Sequence, residues 1–258
     1  MHQHKIIQQD LNAILKWTKE WLLSLNVNKC TVLHLGRKNP RLPYYLDNKQ
    51  LKVVDTQKDL GVIISSDLKW EAHIVAIVSK VNSILYTIRK AFFNINKKTF
   101  IQIYKTYVRP LLEYAFQVWS PYFVKDIEML EKVQRRATKL PRELRNLSYE
   151  QRLANLGLST LKSRRERGDL IETYKILNKY YKIPNFEELF SKKSNPRLRS
   201  YGLKLEYQQA SSNPSKHFIS NRVIQMWNAL PENVVTAESL NQFKNRLDKH
   251  QKDKERKK

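Results

Sequence analysis

Two arginine clusters are the residues whose type and spacing point most directly to chemistry. Arg135-Arg136 with Lys139 forms one, and Arg164-Arg165 with Arg167 forms the other. A guanidinium offers parallel N–H donors that match a phosphate, a geometry an ammonium lacks. Residues 132–167 hold eleven Lys/Arg against three Asp/Glu. Clusters of this kind bind polyanions by releasing counterions, with a steep dependence on salt. On a solvated helix face they would simply keep the chain in solution. Tyr104, Tyr107, Tyr114, Phe116 and Trp119 lie close in sequence to Lys105 and Arg109. Bases can stack on such rings, but their helical spacing assigns them to a core first.

Catalytic constellations are sparse. Metal-dependent phosphoryl transfer needs carboxylates that converge on a cation pair. The adjacent acids are Glu187-Glu188, on a segment of no special character, and no Asp-Asp occurs. There is no P-loop, no G-x-S-x-G turn and no His-x-x-x-His pair. Histidines 2, 4, 34, 73, 217 and 250 are scattered. His34 reads as a satisfied histidine within a strand, and Cys30 as a small packed hydrophobe.

Composition narrows the class. The 258 residues carry 48 Lys/Arg and 24 Asp/Glu, a formal net charge of +24. Hydrophobic residues make up 41% and aromatics 10%, too many for a wholly disordered chain. Five Gly and nine Pro exclude collagen-like and linker-like chains. A single Cys excludes an internal disulfide and argues against a cysteine zinc site. Residues 1–9 are polar and no window approaches a membrane span. The expectation is an intracellular chain, nuclear or cytoplasmic, with no membrane partner. Residues 1–68 hold ten basic and six acidic side chains, against 38 and 18 in the rest. The excess charge therefore belongs mainly to the later part and favours a polyanion.

The elements that must position these groups follow from periodicity. Ile7, Leu11, Ile14, Trp21, Leu22 and Leu25 recur at helical steps, predicting one helix over 5–25. Residues 31–35 read as a strand, 44–46 and 51–54 as strands flanking the turn pair Asp47-Asn48, and 62–64 as a last short strand. Helices then take over: a six-turn stripe from Ile74 to Phe92, a helix over 99–108 ended or kinked by Pro110, a buried helix over 111–119, and one over 126–138. Ser148 with Gln151 is a capping-box signal for a helix ending near Gly157. A helix over 161–181 contains Gly168, which a close helix approach would explain. Residues 191–215 have the least ordered composition, with a short strand at 203–207. Helices over 218–230 and 237–247 close the fold, and 248–258 read as a charged, solvated tail.

Several stretches also match a known family. Asp10-Leu-Asn12, Leu15-Lys-Trp17, Trp21, Asn26, Lys29-Cys30 and His34-Leu-Gly36 come first. Lys58-Asp-Leu-Gly-Val62, Val108-Arg-Pro-Leu-Leu-Glu-Tyr114, Trp119-Ser-Pro121 and Leu130-Glu-Lys-Val-Gln-Arg-Arg-Ala-Thr138 follow. Arg167-Gly-Asp-Leu-Ile171, Tyr174-Lys-Ile-Leu177, Trp227-Asn-Ala-Leu-Pro231 and Phe243-Lys-Asn-Arg-Leu247 complete the series. Together they resemble, in order, the region downstream of the catalytic Asp-Asp motif in reverse transcriptases of LINE-type (non-LTR, jockey/RTE-like) retrotransposons.

The resemblance implies an α+β, mostly α fold. Residues 1–66 would be the end of a polymerase palm, one helix plus short antiparallel strands. Residues 67–140 would be a helical thumb, 141–247 a basic helical extension and 248–258 a disordered tail. Lys29 matches the motif D lysine near the incoming nucleotide's phosphates, a role it would have only in the parent enzyme. Leu60 and Gly61 match the motif E turn that grips the primer end, where a glycine admits a strand closely. Arg135, Arg136, Lys139, Arg164, Arg165 and Arg167 would contact nucleic acid. The implied partners are an RNA/DNA primer–template and the upstream palm and fingers. The family's Mg2+-binding aspartates lie upstream of the matched region, so this chain carries no cofactor ligands and would not polymerise alone. The competing expectations are a non-enzymatic nucleic-acid-binding or partner-binding protein derived from such an element, and a decayed product with no function.

Overall fold

The computed structural model describes residues 2–36, 38–182, 189–191, 203–210 and 212–256. The chain is mostly helical with small sheets, an α+β arrangement. It divides into two compact units, Met1–His73 and Ile74–Lys258. The pair Glu187-Glu188 and residues 192–202 and 211 of the basic stretch lie outside the described residues.

The first unit opens with α1 (His2–Glu20). The helix stops five residues short of the predicted end because Leu22 takes a left-handed φ of +52°. Leu23 N–H then bonds back to the Thr18 carbonyl at 2.8 Å, the closure that a glycine ordinarily makes at a helix C-terminus. Holding a leucine there costs about 1–2 kcal/mol. β1 (Thr31–Leu33) ends before His34, which lies buried just beyond the strand instead of within it. β2 (Tyr45–Leu46) and β3 (Lys49–Gln50) form a hairpin across Asp47-Asn48, both at positive φ as a two-residue type I′ turn requires. The hairpin pairs only two residues on each side, Tyr45↔Gln50 and Leu46↔Lys49. β4 (Lys52–Val54) then pairs with β1 in parallel, in the register Val32↔Val53. The sheets are thus not all antiparallel, as the sequence suggested. β5 (Thr56–Asp59), absent from the sequence reading, pairs with β6 (Val62–Ser65) across a second turn of this kind at Leu60-Gly61. α1 is tied to β2 by one side-chain amide: Gln8 donates to the Tyr45 carbonyl at 2.8 Å and accepts from its N–H at 2.9 Å.

α2 (Glu71–Ala91) carries the predicted stripe, with Ile74, Val81, Leu85 and Ile88 buried. α3 (Lys97–Ile103), capped by the Asn96 side chain, runs through a π-helical turn at Tyr104–Val108 into α4 (Arg109–Glu113). Pro110 has no N–H and its ring crowds the preceding turn. The widened turn, in which Arg109 N–H reaches the Tyr104 carbonyl, lets the rod continue past it. The apolar run over 111–119 is not one helix. Ala115 adopts φ +52° and a separate α5 (Phe116–Trp119) follows. α6 (Val124–Ala137) and α7 (Tyr149–Leu156) come next. α7 has the predicted capping box from Ser148 and Gln151 and ends at Gly157, φ +57°. α8 (Leu161–Leu177) is buried on several sides.

The C-terminal helices are short: α9 (Asn213–Lys216), α10 (Ile219–Arg222), α11 (Ile224–Asn228) and α12 (Glu232–Val235). The single helix expected over 218–230 is broken at Val223. α13 (Leu240–Arg256) continues through the region expected to be a disordered tail, helped by Asp248, which pairs with Arg167. The core of this end gathers Tyr174, Trp227 and Phe243, with Tyr174 stacked on Phe243 at 4.3 Å. The segment at 203–207 has a single bridge residue, Leu205, in place of the expected strand, and Glu206 N–H bonds the Ser191 carbonyl at 2.8 Å. Asn228 bonds both the N–H and the carbonyl of Leu205, each at 2.9 Å.

Two buried polar arrangements fix the helices. Arg222 makes a two-point contact with Asp169 at 2.7 and 2.8 Å, and also donates to the carbonyls of Gln117 and His217. Glu131 accepts from the Tyr149 hydroxyl and from Leu161 N–H, while Gln134 donates to Tyr149 and to the Ser159 carbonyl and accepts from Tyr104.

Gly168 meets the expected close approach: a Cβ there would lie 3.1 and 3.2 Å from two ring atoms of Phe116 and closer still to Cζ. Gly168→Ala should lower stability by about 1–3 kcal/mol through overpacking, and Phe116→Leu in the same chain should recover part of it. Denaturant titration of the single and double variants reads this directly. A second prediction concerns pH. His73 Nδ1 accepts the Ile63 N–H at 3.2 Å, which requires the neutral ring. Burial, helped by Lys58, pushes its pKa from 6.5 down to about 4. The stability of the neutral form is complete above the unfolded value and is lost as pH falls from about 6.5 to 4, by up to roughly 3 kcal/mol. His73→Gln should flatten the melting profile between pH 7 and 4.

Candidate nucleic-acid interface

The two predicted arginine clusters have different fates. Arg164 is engaged by Glu113, with Nη2 to Oε2 at 2.9 Å and a second bond from Nε. Arg167 is held by Asp248 at 2.6 and 3.0 Å. Arg165 is only 4% exposed, and its Nη1 has no hydrogen-bond partner among the described residues. Burial pushes its guanidinium pKa down, against the pull of Glu131, Asp169, Glu166 and Glu113. Arg165 is thus buried, while Arg164 and Arg167 are half-buried and occupied by Glu113 and Asp248.

The other cluster faces solvent. Arg135 and Arg136 occupy the last turn of α6, where the free carbonyls favour cations. Arg135 lies over the Tyr149 ring, 5.0 Å from its centroid. Arg136 and Lys139 instead line an open groove of about 630 Å³. Arg89 and Tyr86 from α2 and Arg145 from the connection after α6 join them. The floor is apolar, from Leu85, Ala137 and Leu140. Asn82 receives Arg136 Nη1 at 2.8 Å, and Arg145 Nε bonds the Lys139 carbonyl at 3.3 Å. None of the four cations forms an ion pair among the described residues, and no carboxylate lines the groove. Four unneutralised charges around a concave surface focus a field that attracts anions.

Tyr86, Arg89 and Arg145 were not singled out by sequence reasoning. A signal was present: Asn82, Leu85, Tyr86 and Arg89 share one face of α2 at steps of three and four. Of the aromatics named with Lys105 and Arg109, Tyr104, Phe116 and Trp119 are buried, and Tyr107 and Tyr114 are exposed. In the first unit, Lys29 ends a short 3-10 turn, Val27–Lys29, and is exposed. Leu60 and Gly61 occupy the β5–β6 turn at φ +44° and +86°, with Leu60 83% exposed. Among the described residues, no three His, Cys, Asp or Glu side chains gather as a metal-holding group. No described helix is long and apolar enough to cross a membrane.

No family model matches the chain, and no solved structure does. A curated relative is the uncharacterized protein B0403.1 of Caenorhabditis elegans, 25% identical over 141 residues, covering 54% of this chain and 71% of that protein.

The geometry separates structural from surface arginines in a measurable way. Arg164→Ala should cost about 1–2 kcal/mol of stability by stranding Glu113 and change polyanion affinity less than about twofold. Arg136→Ala combined with Arg145→Ala should leave the melting temperature within about 2 °C while weakening binding to heparin or oligonucleotides. Parallel melting and binding curves distinguish the two.

Proposed function

We propose that this chain is part of the reverse transcriptase of a LINE-type retrotransposon, in which it holds nucleic acid and does not itself carry out polymerisation. Residues 1–66 correspond on this reading to the end of the palm, 67–140 to the thumb and 141–247 to the basic extension. The ordered series of family-like motifs along nearly the whole chain supports the assignment. The Leu60-Gly61 turn, a two-residue hairpin turn with both residues at positive φ, is on this reading the primer-gripping turn. The observation that carries the binding role is the groove of Arg89, Arg136, Lys139 and Arg145, four cations without carboxylate partners among the described residues. Phosphates supply the missing anions, and contacts to phosphate carry little sequence information.

One observation favours a second reading. The C. elegans protein is itself short, since 141 residues make up 71% of it. A chain of that length agrees with the alternative of a stand-alone nucleic-acid-binding or partner-binding protein derived from such an element.

Binding should be independent of sequence and should weaken roughly 50-fold between about 50 and 200 mM salt, the slope for about four phosphate contacts. Fluorescence anisotropy with unrelated oligonucleotides measures both. Affinity insensitive to salt would remove the electrostatic basis. In the same reactions, primer, template, nucleotides and Mg2+ should give no templated extension, because the chain lacks the paired aspartates.

A further inference from the structure

We propose that the basic groove of the second unit is a site for single-stranded nucleic acid, with a base seated against Tyr86 and the flanking phosphates on Arg136 and Arg145. The inference rests on the nucleic-acid-binding reading above and goes beyond it, because a site for a primer–template would favour duplex.

Three features of the groove carry the argument. The first is concavity: a volume of about 630 Å³ lies within the range of pockets that enclose small ligands, about 300–1,000 Å³. A duplex turns its bases inward and can offer such a hollow only its sugar–phosphate edge. A single strand can place a base inside it. The second is the mixed lining. The apolar floor of Leu85, Ala137 and Leu140 suits the face of a base, and the cations at the rim suit the phosphates on either side. A site for phosphate alone gains nothing from the apolar floor. The third is Tyr86 itself, a wall residue 58% exposed. Lys90 Nζ stands 4.9 Å from its ring centroid, so a cation steadies the ring while much of its surface stays open. Aromatic rings beside cations are the usual means by which proteins hold single strands without reading sequence.

The rim is also preset. Arg136 is oriented by Asn82 at 2.8 Å and Arg145 by the Lys139 carbonyl at 3.3 Å. Both retain N–H donors for an incoming phosphate. Orientation of a guanidinium before the ligand arrives reduces the entropy lost on binding.

The test uses the full chain and three fluorescent ligands of equal length: a uridine strand, the same strand with abasic sugars, and a duplex. At one salt concentration the intact strand should bind about tenfold more tightly than the abasic strand, as one stacked base predicts. Tyr86→Ala should remove that advantage and leave duplex affinity within about twofold, while Tyr86→Phe should keep it. Equal binding of intact and abasic strands by the unaltered chain would overturn the proposal, as would a Tyr86→Ala chain that still discriminates. Either result leaves the broader binding role standing. Failure of all three ligands to bind would instead sink that role and this site with it.

Discussion

Arg222 reaches from α10 to three other parts of the second unit at once. Its guanidinium closes a two-point contact with Asp169 on α8 and also donates to the carbonyls of Gln117 and His217. A planar fork with five donors can satisfy four acceptors in fixed directions, and no other side chain can. Much depends on this. Helices α9 to α12 are four or five residues long, far too short to persist unaided. They hold their positions because side chains bond across them: Arg222, the Asn221 amide to Ser215, the Trp227 indole to Leu203 and the Asn228 amide to Leu205. A hydrophobic replacement for the whole ion pair could be equally stable, but removing Arg222 strands the buried Asp169 carboxylate.

The same contrast divides the basic residues. Arginines on α8 face carboxylates contributed by α4 and α13, and they hold helices together. Those at the end of α6 and beyond face none, and they remain available to an external anion. Both clusters look alike in the sequence. What separates them is the position of Glu113, 51 residues before Arg164, and of Asp248, 81 residues after Arg167. Local spacing carries no trace of partners at that distance. The groove was half legible for a related reason: Arg136 and Lys139 stand out as a cluster, whereas Tyr86, Arg89 and Arg145 acquire meaning only when α2 lies beside the end of α6.

Element identity was largely legible where one residue carries a strong local preference. The capping box at Ser148, the left-handed Gly157 and the turn at Asp47-Asn48 all behave as their chemistry requires. The errors cluster where ordinary residues adopt left-handed backbone. Leu22 and Ala115 end helices that periodicity would continue, and neither residue type announces it. The parallel β1–β4 pair was hidden because strands of three residues carry no mark of direction. The helical course of α13 past Asp248 shows how a strongly charged sequence can be ordered once one of its acids has a buried-edge partner.

The π-helical turn before Pro110 has a consequence for length variation. Such a turn holds one residue more than an α-helical turn spanning the same rise. Removing one residue between 104 and 108 would restore regular winding on paper. The widened turn still completes one revolution, so that deletion would leave Leu112 facing the core and Glu113 facing Arg164. The extra residue is therefore neutral for the angular phase of the rod. What it supplies is slack beneath the Pro110 ring, so a one-residue deletion here should be tolerated better once Pro110 is replaced by alanine.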